Sequence, residues 1–155
     1  MSACPDGLSV MLRQMSVNDL DAVEAIERKV YSHPWSRGNF ADSLAAGYDC
    51  WVLEQDGRVA AYAVTMIAAG EAHLLNLSVA APLQGRGLGG ELLRFIEALA
   101  ADSGAANLHL EVRESNTGAR RLYQRHGFTE VGRRKAYYPA LNAREDAVTM
   151  SKGLA

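Results

Sequence analysis

Residues 84–90 read QGRGLGG, and this glycine-rich stretch is the part of the sequence that decides the fold. Residues 85–90 match G-x-G-x-x-G, the fingerprint of dinucleotide-binding folds. Gln84, Gly87 and Gly89 also match Q-x-x-G-x-G, a pattern of acyl-coenzyme A loops. Glycines let a backbone approach a pyrophosphate, and a following helix presents unpaired N–H groups to it. Both patterns therefore predict an anion-binding loop, and the rest of the chain must distinguish between them.

Length and charge predict one globular domain. The 155 residues suffice for a sizeable core but are short for two functional domains, so we expect a single domain over residues 1–155, with its core at about 10–151. The formal net charge of -2 provides no general positive field for nucleic acid or for a membrane surface. We therefore expect neither a specific nucleic acid nor a membrane among the partners, and the oligomeric state is not predicted.

The cysteines and the first residues predict an intracellular protein. Cys4 and Cys50 make neither a disulfide framework nor a metal-ligand spacing, so we expect no metal and a reducing compartment. Residues 1–12 lack the basic and apolar regions of a signal peptide. The longest uncharged apolar-rich run, residues 59–70, is too short to span a bilayer. These features predict a soluble, cytoplasmic protein.

Hydrophobic periodicity divides the chain into helices and strands in the order ααβββαβαββ. The helices are expected to begin at the S-x-x-D capping box of residues 16–19, at Ser36, after the glycine loop and at Asn116. The strands are predicted at residues 50–53, 59–67, 73–79, 107–113, 128–131 and 147–150, with a hairpin turn at Asp56-Gly57. Strand, glycine loop, helix and strand predict a right-handed βαβ unit. The chain is therefore expected to form a mixed α/β domain.

The position of the glycine loop argues against a dinucleotide-binding fold. Glu111 favours that fold, because it lies 21 residues after Gly90, near where an acidic residue would bind a ribose hydroxyl. Against it, three strands precede the loop and only about 45 residues follow Glu111, which leaves too little chain for the further parallel strands. A P-loop is excluded, because no Lys-Ser or Lys-Thr follows the glycines.

Longer segments carry a family resemblance. Residues 74–93, LLNLSVAAPLQGRGLGGELL, resemble the acetyl-CoA motif of the GNAT N-acetyltransferases. The resemblance extends over residues 16–150. Within the family, it is most specific to the enzymes that acetylate the N-terminal alanine of a bacterial ribosomal protein. It rests on HPWS (33–36), LEVRESN (110–116), ARRLYQRHGF (119–128), YYP (137–139) and REDAVTM (144–150). It implies the GNAT fold, a mixed and mostly antiparallel central sheet with helices on both faces.

The resemblance also implies an activity. It implies transfer of acetyl from acetyl-CoA, as cosubstrate, to the N-terminal alanine of the eighteenth small-subunit ribosomal protein. The loop N–H groups would bind the pyrophosphate, and the preceding strand would align the pantetheine and acetyl group. The implied cofactor-binding residues are Leu77, Ser78, Val79, Gly85, Arg86, Gly87, Leu88, Gly89, Gly90 and Asn116. Asn116 is equally well explained as a helix N-cap.

Glu111 is the candidate general base. A period of two places Glu111 with His109 and Arg113 on the polar face of its strand. An α-amino group has a reference pKa of about 7.7 to 8.0, so a substantial share is already neutral near pH 7 and the base need only remove one proton, directly or through water. The resemblance places the base in the LEVR motif, at Glu111. The alternative is a structural Glu paired with Arg113 or with a neighbouring strand.

Tyr123 is the candidate acid. On the residues alone it belongs to the apolar side of its helix, which favours core packing. The resemblance implies instead that this tyrosine protonates the departing CoA thiolate, which a phenol with a reference pKa of about 10 can do at neutral pH.

Several other residues have both a candidate function and a structural explanation. His109 is a reserve base, and Cys50 could carry an acetyl group, although a buried thiol is the simpler explanation. Residues 133–138 could line the acceptor or form a hairpin tip, and Arg120, Arg121 and Arg125 could face solvent or CoA phosphates. A broader N-terminal or lysine acetyltransferase and a nonenzymatic acyl-CoA sensor stay open as functions.

Overall fold

A computed structural model describes residues 2–3, 9–141 and 143–154, and the side chains from residue 10 onward within those ranges. The helices are α1 Leu20–Val30, α2 Arg37–Ala45, α3 Leu88–Asp102 and α4 Thr117–Arg125. The strands are β1 Ser2–Ala3, β2 Ser9–Gln14, β3 Asp49–Gln55, β4 Arg58–Ala68, β5 Glu71–Val79, β6 Asn107–Arg113, β7 Thr129–Pro139 and β8 Arg144–Gly153. Cys4 lies outside the described residues.

The strands follow the order β1-β2-β3-β4-β5-β6-β8-β7. β5 pairs with β6 in parallel, whereas β2 with β3, β3 with β4, β6 with β8 and β7 with β8 are antiparallel. The mixed, mostly antiparallel sheet is therefore confirmed, as is the order ααβββαβαββ from α1 to β8. No helix within the described ranges has the length and apolar character needed to cross a bilayer.

The strand β2 was not predicted from the sequence. Its six residues, SVMLRQ, carry only a short alternation, with Val10 1% exposed, and no turn signal separates them from α1. The strand forms because β3 offers a complementary edge, in a register that pairs Val10 with Gln55 and Gln14 with Trp51. This partner is about 40 residues away, so periodicity within one short segment does not reveal the pairing.

The chain divides into two compact units. Unit 1 comprises residues 1–66 and 76–96, and unit 2 comprises residues 67–75 and 97–155. The expectation of one domain stays a prediction. Unit 1 contains a core cluster formed by α1, α2, β3 and β4, whose buried members include Val23, Phe40, Val52 and Tyr62. The Phe40 ring contacts the Trp35 and Tyr62 rings at centroid distances of 5.1 and 5.6 Å.

The cap and turn predictions in unit 1 are confirmed. The Ser36 hydroxyl accepts a hydrogen bond from the Asn39 N–H at 3.1 Å at the start of α2. Asp56 and Gly57 both have positive φ, 53° and 79°, as a two-residue hairpin turn between β3 and β4 requires.

Unit 2 is organised around β6, which alternates regularly between buried and half-exposed residues. Leu108, Leu110 and Val112 are buried, which confirms the predicted faces of this strand. The prediction was incomplete for the last hairpin, because β7 continues through residues 133–138 to Pro139. Its register with β8 shifts twice, between Glu130 and Gly132 and between Arg134 and Tyr138. These irregularities hide the strand from a period-two search.

Candidate functional site

The glycine loop of unit 1 uses backbone conformations that favour glycine. Gly85 and Gly87 have φ of 81° and 83°, in the left-handed region. No atom lies within 4 Å of a Cβ built at either position, so conformation rather than space selects glycine there. The positive φ of Gly85 gives a physical reason for glycine at this position.

The loop ends directly in a helix N-terminus. The first helical backbone bond of α3 runs from the Glu91 N–H to the Gly87 carbonyl at 3.1 Å. The N–H groups of the preceding positions, Leu88 to Gly90, therefore have no acceptor inside the helix. Two of these residues are glycines, and the adjacent Arg86 side chain is exposed. This arrangement fits the pyrophosphate of acetyl-CoA, because donors, the helix dipole and an approachable backbone coincide.

Gln84 anchors this loop to the preceding strand. Its side-chain Nε2 donates to the Val79 carbonyl at 3.0 Å, across the 3₁₀ turn Ala81–Leu83. The residue was not named among the cofactor-binding candidates. The sequence does mark Gln84 as the first residue of Q-x-x-G-x-G. The pattern does not show that its side chain bonds to the protein backbone instead of to a ligand.

The predicted strand residues differ in what they can offer to a ligand. Ser78 is 3% exposed, and its hydroxyl lies 2.8 Å from Asn76 Oδ1 and 2.9 Å from the Tyr31 hydroxyl. Its side chain is therefore occupied inside unit 1, which leaves only its backbone to contact a ligand. Leu77 and Val79 are half-buried and point to the opposite face, because side chains alternate along a strand.

Glu111 lies in β6 of unit 2, at the point where a parallel ladder stops. The described pairing of β5 with β6 ends at Leu74 opposite Leu110. On its other side, β6 continues to pair with β8, and Glu111 faces Thr149. The Glu111 side chain is 26% exposed, on the same face as His109 and Arg113, as predicted. The Glu111 carboxylate is thus held on a strand and is partly exposed, although its Oε2 atom is buried.

The partner of Glu111 is Arg134, not Arg113. Arg134 Nε lies 2.6 Å from Glu111 Oε2, yet this oxygen accepts no hydrogen bond from the described residues. The contact is therefore a charge contact without hydrogen-bond alignment. Arg113 instead donates to Glu145 at 2.9 Å and to the Pro139 carbonyl at 2.7 Å.

Tyr123 and Asn116 belong to α4 of unit 2. Tyr123 is 7% exposed, and its ring meets the Phe128 ring edge-on at a centroid distance of 5.7 Å. This packing agrees with its apolar helix face. Asn116 Oδ1 accepts from the Ala119 N–H at 3.2 Å, so the expected helix N-cap is present.

Two arginines stack on the tyrosine rings of the last hairpin. Arg113 stacks on the Tyr138 ring at 4.6 Å and Arg134 on the Tyr137 ring at 5.3 Å. Burial, followed by the nearby Glu111 charge, raises the pKa of Tyr138 to about 12. Tyr138 is therefore a neutral phenol at physiological pH, and Tyr137 is 44% exposed beside it.

The alternative reactive residues have structural partners. His109 Nδ1 lies 2.9 Å from the Ser151 hydroxyl, and its Nε2 lies 3.4 Å from Glu71 Oε2. Cys50 is buried, and burial raises the pKa of its thiol to about 11. Such a thiol is a poor nucleophile near neutral pH. Neither residue is favoured as a reacting group by these environments.

Two arginines of the basic segments, Arg120 and Arg133, are paired with carboxylates. Arg133 contacts Glu114 at 2.7 Å and Glu130 at 3.5 Å, and Arg120 Nη2 lies 3.8 Å from Glu130. At these two positions the pairs favour a solvated, charge-balanced surface over a phosphate-binding patch, and Arg121 and Arg125 are exposed. Within residues 9–141 and 143–154, no cluster of three or more metal-ligating side chains is present.

The predicted site residues thus form two groups. The glycine loop and Leu77, Ser78 and Val79 belong to unit 1, where Gln84 connects strand and loop. Glu111, Asn116 and Tyr123 belong to unit 2.

Comparison with known proteins places this chain in a family. Residues 20–128 match the Acetyltransferase (GNAT) family. Ribosomal protein bS18-alanine N-acetyltransferase of Escherichia coli (strain K12) is 38% identical over 140 residues, which cover 90% of this chain and 95% of that protein. The crystal structure of the ribosomal-protein-S18-alanine N-acetyltransferase from Escherichia coli has a TM-score of 0.89 at 36% identity and covers 95% of each chain. The structure of yncA from Salmonella typhimurium with its cofactor acetyl-CoA shares the fold, with a TM-score of 0.78 at 20% identity and 94% coverage of each chain.

Proposed function

The chain belongs to the acetyltransferase (GNAT) family, and from that premise we propose that it acetylates the N-terminal alanine of ribosomal protein bS18, using acetyl-CoA as cosubstrate. The observation that carries the proposal is the 38% identity, over 90% of this chain, to an enzyme named for that acceptor. The loop and helix geometry supports the cosubstrate, because Gly85, Gly87 and the first turn of α3 form an anion site.

The first chemical requirement is a neutral amine. At pH 7 most α-amino groups with a pKa of about 8 carry a proton, which blocks attack on a thioester. Glu111 is proposed to accept that proton, directly or through a water molecule. Its position supports this role, because the side chain is partly exposed and its strand is held by pairing with β8.

The second requirement is a proton for the leaving group. When the amine nitrogen forms a bond to the carbonyl carbon, the carbon–sulfur bond breaks and a thiolate departs. Tyr123 is proposed to donate its phenol proton to that thiolate. As the amide forms, the nitrogen releases its remaining extra proton to solvent, from which the Tyr123 phenolate is reprotonated. A backbone N–H in residues 77–79 is proposed to polarise the thioester carbonyl. Asn116 is proposed as a further contact to acetyl-CoA.

The wider setting follows from this activity. A ribosomal-protein acceptor is available in the bacterial cytoplasm, so we propose a cytoplasmic enzyme whose partner is a protein N-terminus. We further propose a single functional domain over residues 1–155, with no metal in the reaction and with direct transfer instead of an acetylated Cys50.

The proposal is tested with two peptides of matched composition and with bS18 itself. One peptide has a free N-terminal alanine, and the other is N-terminally blocked and carries an internal lysine. We expect CoA release and a mass increase of one acetyl group with the first peptide and with bS18 only. Acetylation of the lysine peptide alone would instead identify a lysine acetyltransferase. Binding of acetyl-CoA without transfer to either peptide or to bS18 would favour a nonenzymatic sensor.

A further inference from the structure

The mechanism above does not use Glu27, although this residue is an unusual feature of unit 1. Glu27 lies in α1 and is 2% exposed. Glutamates are seldom so deeply buried unless their charge is compensated. No ion pair to Glu27 occurs within residues 9–141 and 143–154, so hydrogen bonds must stabilise the carboxylate.

Hydrogen-bond donors from three parts of the chain converge on this carboxylate. Oε1 of Glu27 accepts from the Tyr62 hydroxyl at 2.6 Å and from Asn76 Nδ2 at 3.1 Å. Oε2 accepts from the backbone N–H of Trp35 at 3.0 Å. Glu27 thereby connects α1 to β4, to β5 and to the segment between α1 and α2.

The network continues from Asn76 to the backbone of β5. Asn76 Oδ1 can only accept, so the Ser78 hydroxyl at 2.8 Å must donate to it. The remaining proton, on the Tyr31 hydroxyl, is directed either to Ser78 Oγ at 2.9 Å or to the Leu77 carbonyl at 3.2 Å. A chain of polar contacts therefore leads from a buried charge to the backbone of β5.

The tyrosines of the network keep their protons. Burial, and then the Glu27 charge, raises the pKa of Tyr62 far above its usual range. Burial also raises the pKa of Tyr31. Both hydroxyls are therefore donors at any pH at which the enzyme works, and the direction of the hydrogen bonds to Glu27 and toward β5 is fixed.

We propose that Glu27 is a positioning residue, which through Asn76 and Ser78 holds β5 in the orientation that presents Leu77 and Val79 to the acetyl end of acetyl-CoA. Asn76 and Ser78 are two residues apart and point toward α1, so their contacts set the rotation of the strand about its axis. The inference rests on the proposed function, in which residues 77–79 align the acetyl group. An apolar side chain could fill the same volume but could not select one orientation of Asn76.

The test separates positioning from folding. Glu27→Gln keeps the shape but replaces one carboxylate oxygen by an NH₂, which meets the Trp35 N–H in one orientation and the Tyr62 and Asn76 donors in the other, so at least one hydrogen bond becomes a donor–donor contact. We expect kcat for the alanine peptide to fall about tenfold or more, because a small displacement at a reacting centre has effects of this order. We expect the acetyl-CoA Kd from calorimetry to change less than about threefold, since the loop and α3 hold the pyrophosphate.

Asp19→Asn is the matched control, because Asp19 is also buried in unit 1 but is bound by Arg13 and Ser16 rather than by β5. It should lower the melting temperature and leave kcat within twofold. If Glu27→Gln does not fold, Tyr62→Phe takes its place in the test. It removes a hydrogen-bond donor to Glu27 but keeps the ring, and it should also lower kcat.

Three outcomes overturn the inference. A folded Glu27→Gln variant with wild-type kcat would exclude a positioning role while leaving the proposed function intact. Equal losses of kcat and acetyl-CoA affinity, in proportion to a lowered melting temperature, would identify Glu27 as purely structural. A wild-type enzyme that transfers no acetyl group to the alanine peptide would remove the proposed function and this inference together.

Discussion

The guanidinium of Arg134 lies 2.6 Å from Oε2 of Glu111, and this carboxylate oxygen accepts no hydrogen bond from any described residue. The arginine is the more exposed partner, at 62% against 26%, and its other neighbour is the Tyr137 ring. The oxygen itself is buried, but the arginine is largely solvated, and a charge contact to a solvated arginine without hydrogen-bond alignment is weak and exchangeable. In the proposed reaction, the ammonium group of an acceptor competes with Arg134 for the same carboxylate.

Replacement of Glu111 tests the base directly. Glu111→Gln should lower kcat by about 100-fold near pH 6.5, where the acceptor amine is protonated. The loss should shrink toward pH 9, because the amine then loses its proton without help. The measurement is the pH profile of kcat. His109→Gln, two residues away on the same face, is the control and should keep a wild-type profile. A parallel loss at all pH values would assign Glu111 to structure.

Removal of Arg134 should ease access of the acceptor. For Arg134→Gln we expect the KM for the alanine peptide to fall about threefold at low salt, because a competing cation is absent, and the difference to diminish at high salt. Lys135→Gln removes the same charge at the next residue and should leave KM unchanged. A raised KM for Arg134→Gln would mean that the arginine binds the acceptor instead of competing with it.

Tyr123→Phe separates acid catalysis from core packing. The phenylalanine keeps the ring contact with Phe128, so the variant should fold. We expect kcat to fall about 10- to 100-fold, since the thiolate loses its proton donor, while acetyl-CoA affinity is retained. Steady-state kinetics and calorimetry distinguish the effects. An unchanged kcat would return Tyr123 to a packing role.

The left-handed conformation of Gly87 predicts a selective effect on cosubstrate binding. Alanine at φ 83° costs about 1 kcal/mol or forces the loop to change shape. Gly87→Ala should therefore raise the acetyl-CoA Kd about tenfold. Gly104→Ala is the matched control. Gly104 has a φ of 88° and equally open surroundings, but it follows the C-terminal end of α3. If both variants bind acetyl-CoA alike, the loop is not the pyrophosphate site.

The ion pair of Asp19 predicts a pH dependence of stability. The hydrogen bonds and charge of Arg13 hold the pKa of Asp19 below its usual value. A lowered folded-state pKa contributes stability above the unfolded pKa of about 3.9, and this contribution is lost as the pH falls through the folded value. Asp19→Asn should lower the free energy of unfolding by about 1 to 2 kcal/mol at pH 7. Urea titrations of the wild type and of Asp19→Asn should show that their difference in unfolding free energy disappears at acid pH. A difference that does not change with pH would contradict the linkage.

Local signals were sufficient for most of the fold. The S-x-x-D box, the Asp56-Gly57 turn and the regular alternation of β6 each depend on neighbours within a few residues, and each is confirmed. β2 and the extension of β7 were missed because their hydrogen bonds go to distant strands and because bulges interrupt their periodicity. The face on which Glu111 lies followed from the period of two, whereas its partner Arg134 did not.

The sequence by itself determined the order of the elements from α1 to β8, the glycine-dependent loop and the family, because these reside in residue type and short-range spacing. Only the tertiary structure decided that Arg134 rather than Arg113 contacts Glu111, that the Ser78 side chain is unavailable to a ligand, and that Glu27 is a buried acceptor of three hydrogen bonds. The physical reason is that such contacts join residues far apart in the chain, and their geometry is set by packing instead of by periodicity.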